Sequence, residues 1–220
     1  MKPQLSCLEE LLANKDIRGC VPKITQIVDD VRHKLEDLKW EPVPVKLEKS
    51  ETAAIVAYTH DLTQDVQSGN LYFELNQMLR QRGVAQRSAL KQTWGGFMFY
   101  MMVGLNKLPD FKGVCWRGYN HETRAKIIQT YQVGRPIMWG AFTSVTTNID
   151  AAKGFAQNTR VVFKIVVTAG RDINAYSFFP QEDEILLSPS ARFTVSSEPR
   201  DEDGFTIIDL VQTVGNTFVS

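Results

Sequence analysis

The chain has 220 residues, enough for one large domain or for one domain with a modest accessory segment. At 43% hydrophobic and 23% charged, its composition is that of a globular protein and excludes a disordered one. Lys plus Arg and Asp plus Glu each total 25, so no global field draws the chain to nucleic acid or to an anionic membrane.

The opening stretch MKPQLSCLEELLANKD lacks an apolar run long enough for the core of a signal peptide. No segment approaches the ~20 apolar residues that a membrane-spanning helix needs. Over the first forty residues the pattern is helical. Ile24, Ile27, Val28, Val31, Leu35 and Leu38 recur at three- and four-residue steps and make one apolar stripe. Pro22 suits the first turn of that helix, and Pro42 and Pro44 end it. Such a stripe packs against its own domain or serves as a partner-binding face. Residues 41–51, EPVPVKLEKSE, read as a connector, which divides the chain into an N-terminal helical segment (1–45) and a main domain (46–220).

From Thr52 to Leu105 the pattern stays helical. Tyr72, Leu75, Met78 and Leu79 line one face, and Gly83 breaks the run. Trp94, Phe97, Met98, Met101, Met102 and Leu105 then form the apolar side of a buried helix, a stripe that belongs to a core more naturally than to a cofactor site. After Phe111 the texture changes to short β-prone runs separated by turn residues. Strands are expected over 112–118, 136–146, 160–168, 184–188, 191–197 and 205–213, with helices over 121–131 and 148–157, the latter capped by Asn148 or Asp150. A helical first half followed by a strand-rich second half predicts an α+β fold, not alternating βαβ units.

Three cysteines, Cys7, Cys20 and Cys115, form neither a disulfide framework nor a metal-binding pattern, which points to a reducing compartment. The histidines His33, His60 and His121 are scattered and read as surface or capping residues; no metal site is expected. Neither a glycine-rich dinucleotide fingerprint nor a P-loop is present.

Three short pieces are candidates for chemistry. In FFPQEDEILLSP (178–189), Glu182 and Glu184 are two apart, so a strand reaching back that far would turn both carboxylates to one face, roughly 6–7 Å apart. Paired carboxylates serve substitution at a sugar's anomeric carbon, whose transition state resembles an oxocarbenium ion. Read alone, an acidic strand entry is usually a solvated surface. Arg117, in CWRG, carries a planar fork suited to a phosphate, and Gly118 beside it lets a ligand approach the backbone; an ordinary ion pair is the alternative. FTSVT (142–146) brings three hydroxyls to a strand end, where β-propensity alone also accounts for threonine.

Taken together and in this order, Arg117, then Ser144-Val145-Thr146, then Glu182-Asp183-Glu184, the pieces resemble the R-S-E class of mono-ADP-ribosyltransferases, most of all its arginine-specific animal-type members. INAYSFFPQEDEILLSPSARFTV (173–195) is similar to that family's catalytic loop and strand, and AFTSVT to its serine motif. Tyr58-Thr59 and the 75–80 region are similar to its helical lobe. The resemblance covers roughly residues 52–213. It implies the ADP-ribosyltransferase fold, a helical N-terminal lobe followed by a two-sheet, mainly antiparallel β core with an NAD-binding cleft.

The activity it implies is transfer of ADP-ribose from NAD+ to arginine side chains of target proteins, with release of nicotinamide. NAD+ is then a consumed substrate; no cofactor or metal is expected, and neither nucleic acid nor membrane is a partner. Arg117 would hold the dinucleotide phosphates and Gly118 would meet the nicotinamide end through its backbone. Ser144 would orient Glu184, the catalytic glutamate on the nicotinamide ribose. Glu182 would position the target guanidinium and help remove its proton. Tyr176, Phe178 and Phe179 would belong to the loop that meets the protein substrate, and Phe155 is a candidate to stack on nicotinamide or else a core residue. Ser-Val-Thr departs from the family's Ser-Thr-Ser, and three cysteines cannot reproduce the disulfides of its secreted members. The expectation is therefore a monomeric cytoplasmic enzyme, or a toxin or effector delivered into another cell without a cleaved signal. NAD+ hydrolysis, or a non-catalytic NAD-binding or interaction module, are the competing readings.

Overall fold

The computed structural model describes residues 2–39, 43–62, 68–120 and 122–213. Pro42, His121 and the last seven residues of the 46–220 segment lie outside the described residues. The chain divides into two compact units. One is helical, running through Leu108 and taking in Ala175–Pro180; the other holds the strands, Pro109–Asn174 and the chain from Gln181 onward.

The helical unit comprises α1 (Cys7–Ala13), α2 (Lys15–Cys20), α3 (Ile24–Asp37), α4 (Lys49–Thr59), α5 (Leu71–Arg80) and α6 (Val84–Lys107). Local chemistry fixes several of its boundaries. Ser6 and Glu9 form a reciprocal capping box at the start of α1, and the Asn14 side chain accepts from the amides of Asp16 and Ile17 to start α2. The α3 stripe is buried as its spacing predicts, at Ile24, Ile27, Val28, Val31 and Leu35. Pro22 lies in the turn before α3 instead of in its first turn. Within α4 every residue from Ala53 to Thr59 is buried, so this stretch of the helix has no solvent face. It begins at Lys49, inside the stretch read as a connector. Its buried Glu51 receives two bonds from Lys107 Nζ, at 2.6 and 2.8 Å, which satisfies a charge that burial alone makes costly. The apolar run 94–105 is the C-terminal half of α6, with Trp94, Phe97, Met101 and Leu105 buried.

The second unit contains β1 (Asp110–Tyr119), α7 (Arg124–Thr130), β2 (Pro136–Trp139), β3 (Thr143–Thr146), α8 (Ile149–Phe155), β4 (Val161–Asp172), β5 (Glu184–Leu187), β6 (Ala191–Val195), β7 (Arg200–Glu202) and β8 (Phe205–Gln212). The strand order is β1-β3-β5-β4-β8-β6-β2; β1 also pairs with β4, and β7 pairs with β8. Every ladder is antiparallel except β4–β8. The expected two-sheet core thus takes the form of two arms that share the twelve-residue β4: β1, β3 and β5 on one side, β8, β6 and β2 on the other.

One strand expected over 136–146 is two strands. β2 pairs with β6 and β3 with β5, separated by Gly140-Ala141-Phe142. The residues on both sides are equally β-prone, so only Gly140 marked the break; which neighbour each half pairs with is a property of the whole sheet. Cys115, Phe163, Ile165, Ile185, Leu187, Phe193, Ile208 and Leu210 form the core of this unit, joined by the rings of Tyr131 and Trp139. The opposite face of β4 and β8 packs Val162 and Ile207 against Ala152 and Ala156, which flank the end of α8.

Candidate active site

Three adjacent strands bring the sequence candidates together. Thr146 on β3 stands opposite Trp116 on β1 and opposite Glu184 on β5, so Arg117, Ser144 and Glu184 lie on neighbouring strands within two residues of one register line. The Arg117 guanidinium donates to the main-chain oxygen of Ser144, and the Ser144 hydroxyl bonds to the Glu184 carboxylate. Glu184 is only 9% exposed. Burial pushes its carboxyl up to about 7; the Ser144 hydroxyl pulls it down, the Glu182 charge pushes it up, and the Arg117 charge pulls it down. The result is a buried acid that changes charge near neutrality beside a fixed cation.

The two glutamates do not share a strand face. β5 begins at Glu184, Pro180–Glu182 forms a 3-10 turn, and Asp183 takes a left-handed conformation at φ 49°. A strand pleat therefore does not relate them, because the chain turns before it becomes a strand. They remain electrostatically coupled all the same. Two side chains hold the turn in place. Thr146 Oγ1 donates to the main-chain oxygen of Glu182 at 2.8 Å and accepts from the Asn148 amide at 3.0 Å. Asn174 Oδ1 accepts from the Glu184 amide at 2.5 Å. The hydroxyl of Thr146 thus has a structural task distinct from that of Ser144. Asn174 escaped the sequence reading; its cue is the Asp172-Ile173-Asn174 spacing, where Asp172 Oδ1 accepts from the Asn174 amide at 3.0 Å.

Gly118 lies against α8. A Cβ built there would be 2.2 Å from the Ala152 oxygen and 2.9 Å from the Ala156 nitrogen, so the glycine is required by the close approach of helix to strand. Asn148, one of the two residues read as a cap for this helix, is the cap: its side chain accepts from the amides of Asp150 and Ala151. Phe155, the last residue of α8, is 58% exposed, which removes the core alternative for its ring.

The three aromatic residues of the loop part company, and all three belong to the helical unit. Tyr176 is 1% exposed and donates its hydroxyl to the Val45 oxygen at 2.5 Å, so its ring is core and presents no surface. Phe178 and Phe179 are half-buried. The Phe178 amide donates to Thr59 Oγ1 at 3.2 Å, and its ring meets His60 edge-on at 4.8 Å. His60 is the C-cap of α4, as the capping reading expects, but it is buried, and Nε2 contacts Asp30 Oδ2 at 2.9 Å. Among the described residues no group of His, Cys, Asp or Glu is placed to hold a metal ion, and no helix is long and apolar enough to cross a membrane.

Comparison with known proteins converges on one family. A structure of ADP-ribosyltransferase Vis from Vibrio splendidus, in complex with agmatine, superposes with a TM-score of 0.56 at 21% identity, covering 86% of this chain and 85% of that one. Ecto-ADP-ribosyltransferase 5 of Bos taurus is 31% identical over 153 residues, 67% of this chain. NAD(P)(+)–arginine ADP-ribosyltransferase 2 of Gallus gallus is 27% identical over 155 residues, 70% of this chain. The chain spans 46% of the length of each of these two relatives. The family model for NAD:arginine ADP-ribosyltransferases matches residues 4–215. With Arg117, Ser144 and Glu184 linked on three adjacent strands and a match of that extent, the chain belongs to the NAD:arginine ADP-ribosyltransferase family.

Proposed function

We propose that this chain is a mono-ADP-ribosyltransferase that cleaves NAD+ and joins the ADP-ribose to an arginine side chain of a target protein. The observation that carries the reading is the run of contacts from Arg117 through Ser144 to a buried Glu184, with the charge of Glu182 coupled to it. Family membership supports both the dinucleotide and the acceptor, and agmatine in the Vis structure is a guanidinium compound.

In this reading NAD+ is a consumed substrate and no metal takes part. The Arg117 guanidinium offers its fork to a diphosphate oxygen, and the exposed Phe155 ring stacks on nicotinamide. Glu184, oriented by Ser144 and ionised, accepts a bond from the nicotinamide ribose and stabilises positive charge developing at C1′. The C1′–N bond breaks, and nicotinamide leaves with the bonding pair. A guanidinium nitrogen then forms the new C1′–N bond. Because a guanidinium holds its proton to a pKa above ~12, that proton leaves as the bond forms and passes to Glu182. Phe178 and Phe179, with part of their rings exposed, belong to the surface offered to the target protein. Three free cysteines suit a reducing compartment, inside the producing cell or inside a cell that receives the protein.

The test is purified protein with labelled NAD+ and agmatine or an arginine-containing protein, followed by mass-spectrometric mapping. Glu184→Gln should abolish nicotinamide release and transfer together, by at least ~10²-fold. Glu182→Gln should abolish arginine transfer and leave NAD+ hydrolysis. Nicotinamide release with no ADP-ribosylated arginine would replace this reading by NAD+ glycohydrolase activity. Full transfer activity in both variants would remove the site assignment.

A further inference from the structure

Glu184 opens β5 at the point where the neighbouring β4 runs out. The register between the two strands ends with Asp172 opposite Ile185, and the Ile173 amide adds one more bond, to the Glu184 oxygen at 3.3 Å. A buried N–H needs an acceptor, and β4 finishes at Asp172. The Glu184 N–H is therefore met by a side chain in place of a strand carbonyl: Asn174 Oδ1 accepts from it at 2.5 Å.

Only the oxygen of the Asn174 amide can serve here, because an N–H is answered by an acceptor and never by another donor. The residue that carries this oxygen is itself secured locally, since the Asn174 amide donates to Asp172 Oδ1 at 3.0 Å. Both main-chain groups of Glu184 are thus bonded to two consecutive residues, Ile173 and Asn174, while its carboxylate is bonded to the Ser144 hydroxyl. Asp172, Ile173, Asn174, Ser144 and Glu184 all lie within the strand unit. Glu182 is held separately, by Thr146 Oγ1 on its main-chain oxygen. The hold on Glu184 matters because a displacement of about 1 Å at a reacting centre can cost up to ~10²-fold in rate.

We propose that Asn174 is a positioning residue for NAD+ cleavage: its side-chain oxygen fixes the main chain of Glu184 where β4 has ended, so that Ser144 meets the carboxylate in a single setting. The inference rests on the functional reading above and adds to it the residue that seats the cleaving carboxylate. Asn174 acts through Glu184 and touches no substrate, so its loss falls on cleavage itself, and hydrolysis and arginine transfer decline together.

The experiment compares the whole chain as wild type, Asn174→Ala and Asn174→Asp. Alanine removes the acceptor; aspartate keeps an acceptor oxygen in the same place and adds a negative charge. Each protein is assayed for NAD+ hydrolysis without acceptor across pH, for ADP-ribosylation of agmatine, and for hydrogen exchange at the Glu184 amide. Asn174→Ala should lower kcat of both reactions by about 5- to 30-fold, leave the NAD+ KM within about twofold, and speed exchange at Glu184. Asn174→Asp should keep that exchange slow and return kcat towards wild type at high pH. Its added charge disfavours the ionised Glu184, so the midpoint of its pH profile should move up by about 0.5–1 unit. The charges of Arg117, Glu182 and Asp172 are common to all three proteins, so the difference reports the new one. Unchanged Glu184 exchange in Asn174→Ala overturns the inference whatever the activity. So does an aspartate variant no more active than the alanine variant at any pH. Should Asn174→Ala fail to fold, Asn174→Asp decides alone: a raised midpoint supports the inference and an unmoved one overturns it. A wild-type protein that releases no nicotinamide defeats the functional reading instead, while the exchange measurement still reports on the bond.

Discussion

Glu184 is the residue on which the proposed chemistry and the stability of the fold meet. A carboxyl held at about 7 in the folded chain, against an ordinary value of 4.5, binds a proton more tightly folded than unfolded. Stability therefore falls as pH rises from 4.5 to about 7, and the full cost, about 3 kcal/mol, is present once the group is ionised above 7. Glu184→Gln should remove it. Thermal unfolding should show the variant more stable than wild type by up to ~3 kcal/mol at about pH 8, which is several degrees in Tm, and equal to it near pH 4. A variant that is less stable at both pH values would contradict the assigned cause. The same carboxyl sets a kinetic expectation. If the ionised form supports cleavage, kcat/KM for NAD+ hydrolysis should climb with pH and level off above about 7. A flat profile between about pH 5 and 8 would show that cleavage does not depend on this carboxylate.

At the level of elements, the site depends on how α8 and the turn before β5 are seated. Gly118 and Gly154 make a controlled pair. A Cβ at Gly118 runs into the backbone at Ala152 and Ala156, while one at Gly154, within α8, meets nothing within 4 Å. Gly118→Ala should destabilise the chain by about 1–3 kcal/mol through a forced shift of α8. Gly154→Ala should be neutral or stabilise by up to ~1 kcal/mol through helix propensity. Chemical denaturation of the two variants side by side checks both signs. The Glu182-Asp183-Glu184 turn shows how far the sequence carried at this scale. Its composition singled out Glu182 and Glu184 as candidates, but the pleat argument for their common face does not hold, because the left-handed Asp183 and the 3-10 turn before it precede the strand. Thr146 and Asn174, which secure the turn, are distant in sequence from Glu182 or oriented by a local side-chain bond, and neither relation is written in alternation.

Across the whole molecule, two units each carry their own core, and the three thiols are divided between them. Cys7 and Cys115 are fully buried and Cys20 is half-buried. Burial pushes all three thiols up, that of Cys115 to about 12, so thiolate is scarce at neutral pH. A thiol reagent at about pH 8 should therefore modify one residue, Cys20, slowly in the native protein and all three after unfolding, and reducing agent should leave Tm unchanged. Rapid native labelling of Cys7 or Cys115 would show that a core opens without global unfolding.

The sequence by itself determined the order of classes, helices first and strands after, because a period near 3.6 and a period of 2 are written directly into residue spacing. It also offered Arg117, Ser144, Glu182 and Glu184 as candidates, since these residues in that order resemble the motifs of a known family. Only the tertiary structure decided that one β-prone run becomes two strands on different sides of the sheet. It alone buried Tyr176 while exposing Phe155, and gave Gly118 to helix packing. The physical reason is common to all of these. Periodicity and composition report a residue's own preference, whereas pairing partners, burial and a shifted carboxyl are set by residues tens of positions away that only the folded chain brings into contact.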